Sequence, residues 1–162
     1  MVTDMKYSGH EYEIHFLPAD KKTEIQAMDL LYGAARQDDT DLLPLEPKDI
    51  AELLRQPGTL RFFQKEAVWR GGNRKVAIGQ LCRELEKAAA GAQAEFGGSM
   101  RLLFRVTACA DIQLEEVEQV AEALTAHLSG KQLALFCART APNVESGYLQ
   151  VQCLIGALDS SR

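Results

Sequence analysis

Residues 101–157 carry the clearest secondary-structure pattern of the chain and read RLLFRVTACADIQLEEVEQVAEALTAHLSGKQLALFCARTAPNVESGYLQVQCLIGA. Its apolar residues first alternate, which predicts a strand over 102–108, and then recur every three to four positions, which predicts a helix over 114–128. Alternation returns in two further predicted strands, over 131–138 and 149–155. The first strand is apolar on both faces, which is typical of a central strand covered by helices.

Two more elements are predicted at the N-terminus. Residues 10–17 alternate between apolar and polar side chains, which predicts a strand with one wet face. Pro18 ends this strand, and Asp20 is placed to cap a helix that runs to about residue 37. Residues 37–40 then form a polar linker. The apolar stripe that we expect this helix to bury is Ile25, Met28, Leu31 and Tyr32.

Three elements are predicted between this linker and residue 101. Pro47 suits the first turn of a short helix with one apolar face. Residues 59–69 are rich in aromatic and β-branched side chains, and their imperfect alternation predicts an extended segment with a bulge or a short hairpin. Asn73 is placed to cap a helix that runs to about residue 89, and residues 91–99 are expected to form a loop.

The order of these elements is β-α-α-β-α-β-α-β-β, which indicates an α+β (mixed α/β) fold. We expect one mixed central sheet with helices packed on it. The chain divides into a strand–helix extension over residues 1–40, a domain over 41–158 with a turn at 143–147, and a polar tail over 159–162. The strand over 10–17 is expected to extend a sheet edge, where an exposed strand is a route to dimers.

Composition narrows the classes of partner and location. The 162 residues are 46% hydrophobic and 25% charged, which is ordinary for a globular domain. A net charge of -5 and the lack of a basic, aromatic-rich cluster argue against nucleic acid and membranes as partners. The sequence contains neither a membrane-length apolar run nor a signal-peptide pattern, so we expect a cytoplasmic protein. Four cysteines without a C-x-x-C pair are expected to be buried thiols rather than metal ligands.

Two motifs resemble a known family. Residues 69–75 read WRGGNRK ahead of a predicted helix, and residues 102–116 read LLFRVTACADIQLEE. The first resembles the turn G-x-G-x-x-R-G-E-N-R-A of the bacterial tubulin homologue FtsZ, and the second resembles its V-L-x-N-I-T-G-G-x-D-L-x-L-x-E. Arg105 replaces the usual Asn of that family, and Ala108 with Cys109 replaces its two glycines. The resemblance is to the second, C-terminal domain of the FtsZ/tubulin family, and its outline is also that of chorismate-mutase-like folds.

The nucleotide-binding half of that family has no counterpart in the sequence. FtsZ holds its nucleotide with a glycine-rich GGGTGTG-type loop, and this sequence contains no such loop. The chain therefore resembles the C-terminal domain standing alone, without the GTPase domain. We expect no cofactor, no metal, no catalytic residues and no hydrolysis of GTP by the chain alone.

The resemblance does imply one interaction surface. In FtsZ and tubulin, a loop with the pattern N-x-D-x-x-D reaches the nucleotide of the next subunit, where its carboxylates position the attacking water. The matching positions here are Pro44, Glu46 and Asp49, so both acids are kept in type while the amide is lost. The resemblance thus implies that Glu46 and Asp49 form a similar contact. The plainer alternative is that acids near Pro47 only stabilise a helix start.

The glycine turn ahead of the predicted helix at Asn73 is a second candidate. Free backbone N–H groups at a helix start bind anions, so Gly71, Gly72 and Asn73 form a candidate anion contact. The turn matches no known phosphate-binding motif, and plain turn chemistry is the alternative.

Three functions stay open at this point. The first is a non-catalytic interaction or regulatory domain of bacterial cell division, which binds FtsZ filaments or itself. The second is a small oligomeric enzyme of chorismate-mutase-like fold with a site between subunits, for which Arg101, Arg105 and Arg139 are the available ligands of a dicarboxylate. The third is a scaffold domain unrelated to division. A pocket lined by two of the arginines favours the enzyme, and a flat apolar surface favours the first function.

Overall fold

The computed structural model describes residues 3–35, 41–43, 45–141 and 147–158. Within them, seven strands form one sheet with four helices packed on it. The strands are β1 (Thr3–Tyr7), β2 (His10–Leu17), β3 (Asp41–Leu43), β4 (Gly58–Val68), β5 (Met100–Ala108), β6 (Gln132–Thr140) and β7 (Tyr148–Ala157). The helices are α1 (Lys21–Ala34), α2 (Pro47–Leu54), α3 (Arg74–Phe96) and α4 (Leu114–Thr125).

The sheet is mixed, which confirms the predicted fold class. Its strand order is β1-β2-β4-β7-β5-β6-β3. β2 pairs in parallel with β4, and β5 pairs in parallel with β6. β7 runs antiparallel between β4 and β5 and so joins the two parallel pairs into one sheet.

Apolar side chains pack on both faces of this sheet. One face is covered by α3 and α4, whose buried residues meet Leu102, Phe104 and Val106 of β5. The other face is covered by α1 and α2, which pack on Leu103 of β5 and on β2 and β4. All nine residues of β5 are buried, so this strand contacts both helix layers. The predicted central strand and its two covering helices, α3 and α4, are therefore confirmed.

Side-chain caps fix the starts of two helices as predicted. An oxygen of the Asp20 carboxylate accepts the backbone N–H of Thr23 at 2.7 Å and begins α1. The side-chain oxygen of Asn73 accepts the N–H of Val76 at 3.2 Å and begins α3. Each cap satisfies an N–H group that the helix itself leaves without a partner.

The predicted buried stripe of α1 is partly wrong. Leu31 is buried, but Ile25 and Tyr32 are 59% and 52% exposed. The side chains that α1 buries are Thr23, Ala27, Leu30, Leu31 and Ala34. Small residues at two of these positions let the helix approach the sheet closely, and Tyr32 points instead toward β1.

Two other boundaries differ from the sequence prediction. α3 continues to Phe96, because Gly91 lies at an open position within an alanine-rich segment that favours helix. The predicted loop over 91–99 therefore shrinks to residues 97–99, in which Gly97 and Gly98 have φ angles of +69° and +62°. β4 is one continuous strand in unbroken register with β7, and it contains neither a hairpin nor a bulge against β7.

The sequence analysis did not predict the strand β1. Because β1 pairs with the outer side of β2, the predicted edge position of β2 is wrong. Ser8 and Gly9 have φ angles of +51° and +83°, and they turn the chain in a two-residue hairpin that places β1 outside β2. The short strand β3, which pairs with β6, was missed as well. The predicted linker over 37–40, the tail over 159–162 and most of the turn over 143–147 lie outside the described residues.

A buried arginine ties α1 to the sheet. Arg105 of β5 is 2% exposed, and its Nε and Nη2 donate to Oε1 of Gln152 at 3.2 and 2.6 Å. Its Nη2 also lies 3.3 Å from a carboxylate oxygen of Asp29 in α1. Gly33 of α1 lies directly over the guanidinium, where a Cβ atom would overlap Nη1. The glycine thus leaves the space in which Arg105 reaches the helix.

A second buried arginine holds α2. Arg101 is 1% exposed, and its Nη1 donates to the backbone carbonyls of Leu53 and Gln56 at 2.7 and 2.6 Å. These carbonyls lie at the C-terminal end of α2, where a positive charge is favoured. Burial lowers the pKa of the Arg101 guanidinium to about 10.

We predict that Gly33→Ala destabilises the protein although Ala is the better helix former. An unhindered Gly→Ala change inside a helix stabilises by about 0.5–1 kcal/mol. At Gly33 the added methyl group displaces Arg105, and we expect a net loss of about 1–3 kcal/mol in urea unfolding. The control is Gly91→Ala in α3, where a Cβ atom meets nothing within 4 Å. Equal stability of the two variants would contradict this packing.

Candidate functional site

The acids of the predicted interaction surface lie at the start of α2. A carboxylate oxygen of Asp49 accepts the backbone N–H of Glu46 at 3.0 Å, so Asp49 stabilises the first turn of the helix. Glu46 is exposed, and its carboxylate lies 3.1 Å from the Nζ of Lys48. Pro44 lies outside the described residues. The two acids therefore carry the structural role that a helix start requires.

The electrostatics of this helix start are mixed in sign. The hydrogen bond from Lys48 to Glu46 raises the pKa of the lysine, and the nearby charge of Asp49 adds to the effect. Glu46, Lys48 and Asp49 together give the N-terminal end of α2 a net charge of about -1. Both carboxylates are thus already partly paired within the chain.

The two motifs that carry the family resemblance meet in space. Arg74 begins α3, and Glu116 lies in the first turn of α4, 42 residues later. The Nε of Arg74 donates to one carboxylate oxygen of Glu116 at 2.6 Å, and Nη2 donates to the other. Nη1 of Arg74 donates to the Asp111 carboxylate at 2.8 Å. The arginine therefore joins WRGGNRK to ACADIQLEE by charge-assisted bonds.

Two further side chains complete this junction. The ring of Trp69 lies 5.1 Å from the guanidinium carbon of Arg74, a distance suited to a cation–π contact. The thiol of Cys109 donates to the other carboxylate oxygen of Asp111 at 2.9 Å. Sequence reasoning missed this cluster, although an arginine in one motif and several acids in the other were the available signal.

The ion pairs set the protonation of the junction. Hydrogen bonding to Glu116 raises the pKa of Arg74 further above its ordinary value. Burial alone would raise the pKa of Glu116, but hydrogen bonds from Arg74 and from the N–H of Gln113 lower it overall. The thiol of Cys109 and then Arg74 lower the pKa of Asp111. Both acids are thus held as carboxylates, which suits a structural joint more than proton transfer.

Several polar groups of the glycine turn beside this junction already make hydrogen bonds within the chain. The N–H of Gly72 donates to the carbonyl of Trp69 at 2.6 Å, and the side-chain oxygen of Asn73 caps α3. Arg74, the residue after Asn73, is already bound to the carboxylates of Asp111 and Glu116. Because these negative charges lie near the turn, an added anion is disfavoured there. The anion contact at Gly71, Gly72 and Asn73 stays a prediction, with fewer free groups than the sequence suggested.

The three candidate arginines do not converge on one site. Arg101 binds the end of α2, whereas Arg139 lies near Arg105 and donates from Nε to the hydroxyl of Thr107 at 3.1 Å. Burial lowers the pKa of Arg105, and the charge of Arg139 lowers it further. A cavity of about 370 Å³ beside α1 and one of about 380 Å³ between α3 and α4 are lined by other residues.

The candidate surfaces lie on opposite faces of the sheet. The start of α2 belongs to the face covered by α1 and α2, and the glycine turn precedes α3 on the other face.

All four cysteines are buried free thiols, as expected. In the described ranges, no group of three or more His, Cys, Asp or Glu residues is arranged to hold a metal ion. Among the helices described, none has the length and apolar character to cross a membrane.

Comparisons with known proteins identify the fold. No protein-family model and no curated protein matches the sequence. A point mutant of FtsZ from M. jannaschii matches the structure with a TM-score of 0.62 and 16% identity, over 85% of this chain and 39% of that one. An empty FtsZ dimer from M. jannaschii matches with a TM-score of 0.62 and 18% identity, over 86% and 38%. A GDP-form TubZ protofilament of Bacillus thuringiensis serovar israelensis matches at 0.44 and 14%, over 75% and 31%.

The fold is therefore similar to part of an FtsZ/tubulin-like protein. The chain spans about two fifths of the length of the FtsZ chains that it matches. At 16–18% identity these matches establish the fold alone.

We predict that the Arg74–Glu116 pair stabilises the protein at neutral pH and not in acid. Because the folded pKa of Glu116 is lowered, its contribution is present above the unfolded value of about 4.3 and is lost as the pH falls through the folded value. Glu116→Gln is expected to cost about 1–2 kcal/mol at pH ~7 and little at pH ~3 in urea unfolding.

The matched control is Glu118→Gln, on the exposed side of the same helix. This variant is expected to unfold like the wild type at both pH values. A Glu116→Gln penalty that is the same in acid as at neutral pH would contradict the assigned role of the ion pair.

Proposed function

We propose that this chain is the counterpart of the C-terminal domain of FtsZ and acts as a non-catalytic interaction module that caps FtsZ filaments. The observation that carries the proposal is the structural match to FtsZ, with a TM-score of 0.62 over 85% of this chain. The sequence also lacks the glycine-rich loop with which that family holds its nucleotide. We place the protein in the cytoplasm of a bacterial cell, where FtsZ serves in cell division.

The capping role depends on how this fold meets the end of a filament. One FtsZ structure that this chain resembles is a dimer. A filament grows by head-to-tail contacts, so each subunit needs two different surfaces. A chain that occupies the exposed surface of the terminal subunit blocks the next FtsZ subunit there and so ends the filament.

The start of α2 is the surface that we assign to this contact. By resemblance, Glu46 and Asp49 face the nucleotide of the neighbouring subunit. Two carboxylates beside a triphosphate act by placing water or by sensing its metal ion. Here Asp49 is engaged by the N–H of Glu46, and Glu46 is paired with Lys48. Because both acids are engaged in this way, we expect the chain to bind and cap the filament end. We do not expect it to speed the hydrolysis of the partner's GTP.

Self-association is the alternative use of the same surface. The FtsZ relative that was crystallised as a dimer supports contacts between copies of this fold. Nothing in the arrangement of Arg101, Arg105 and Arg139 favours the enzyme alternative, because two of them are engaged inside the fold by different elements.

The test is co-sedimentation with GTP-assembled FtsZ from the same organism. We expect the wild-type chain to pellet with filaments and to shorten them. Glu46→Gln combined with Asp49→Asn removes both charges and keeps oxygen acceptors at both positions. We expect this variant to need about tenfold more protein for the same effect. The amides are preferable to alanine, because Asp49→Ala also removes a helix-start bond that contributes about 1 kcal/mol.

A matched control removes two exposed acids from the other face of the sheet, with Glu84→Gln and Glu118→Gln in α3 and α4. This control should act on filaments like the wild type. If the wild-type chain neither pellets with FtsZ nor changes its assembly, the proposed function is wrong. If it pellets and the variant at the start of α2 is equally active, the contact lies elsewhere on the chain.

A further inference from the structure

The strand β1 is the longer of the two edges of the sheet. It has five residues in regular pairing with β2, whereas the opposite edge, β3, has three residues and an irregular register. An edge strand presents backbone N–H and C=O groups to which another strand can bind. In the described part of the chain, no further strand lies beyond β1.

The hairpin register determines which groups of β1 point outward. Tyr7 and His10 close the two-residue turn and so form the pair that exchanges both backbone hydrogen bonds. Pairs alternate along an antiparallel ladder, so the next pair, Lys6 and Glu11, makes none. The N–H and C=O of Lys6 therefore point away from β2 and toward the open edge.

Tyr32 of α1 forms a hydrogen bond with the outward carbonyl of Lys6. Its hydroxyl donates to this oxygen at 2.8 Å, across 26 residues of sequence. Its ring packs on the ring of Tyr7, with the centroids 5.3 Å apart. Tyr32 is 52% exposed, so the contact keeps a large side chain at the surface instead of in the core. The ring and the hydroxyl together stand where an added strand has to approach.

We propose that Tyr32 closes the β1 edge against strand pairing by a second copy of this chain. A second copy fits this edge because two antiparallel β1 strands centred on Met5 bring position 4 of one copy opposite position 6 of the other. These positions are Asp and Lys in the sequence, so each facing pair has opposite charge. In this register, the backbone N–H of residue 4 donates to the Lys6 carbonyl that Tyr32 holds. This edge is separate from the start of α2, so the two proposals are independent.

Two substitutions at Tyr32 test the closed edge by light scattering across a concentration series. Tyr32→Ala removes both the ring and the hydroxyl, and we expect it to dimerise at about tenfold lower concentration than the wild type. Tyr32→Phe keeps the ring and frees the carbonyl, so a smaller shift is expected, and this variant also guards against misfolding of the alanine variant. The control is Ile25→Ala, which truncates a similarly exposed side chain of α1 and should not change association.

Lys6→Pro in the Tyr32→Ala background identifies the surface that pairs. Proline removes an outward N–H of β1 without breaking a bond to β2, and edge strands tolerate this change. We expect the double variant to return to the association of the wild type. The proposal is overturned if the Tyr32 variants associate like the wild type, if their dimers survive Lys6→Pro, or if Lys6→Pro dissolves a dimer of the wild type.

Discussion

The burial of β5 on both faces is the constraint on which the rest of the structure depends. All nine of its residues are buried, yet two of them are arginines. A buried charge is tolerated only where hydrogen bonds replace its water. Arg101 finds the carbonyls at the end of α2, and Arg105 finds Gln152 and the carboxylate of Asp29 in α1. The central strand therefore fixes both helices of one layer by polar bonds, while apolar packing fixes α3 and α4 on the other.

This arrangement gives α2 one fixed end and one exposed end. Arg101 holds the C-terminal carbonyls of the helix in the interior. The N-terminal end carries Glu46 and Asp49, whose capping bond organises the turn without burying Glu46. The start of α2 is therefore the exposed end, which the proposed function assigns to the contact with FtsZ. On the opposite face, Arg74 joins the starts of α3 and α4, so that corner is closed by its own ion pairs.

The parts of this fold that sequence reasoning predicted are those with strong local periodicity. The strands β5, β6 and β7, the helix α4 and the side-chain caps at Asp20 and Asn73 follow from apolar spacing and capping chemistry. The wrong predictions have local causes. Gly91 was taken as the end of a helix although its neighbours favour helix, and Ser8-Gly9 was not recognised as a hairpin turn. The junction of Arg74 with Glu116 spans 42 residues, and no local pattern reveals which charges pair at that separation.

Electron cryomicroscopy of GTP-assembled FtsZ filaments mixed with this chain would show where the chain binds. We expect density for one chain at a filament end, with the start of α2 turned toward the nucleotide of the terminal subunit. We also expect no density for the chain along the filament walls. Chains bound along the walls, or an end-bound chain with α2 facing away from the nucleotide, would show that the proposed capping contact is wrong.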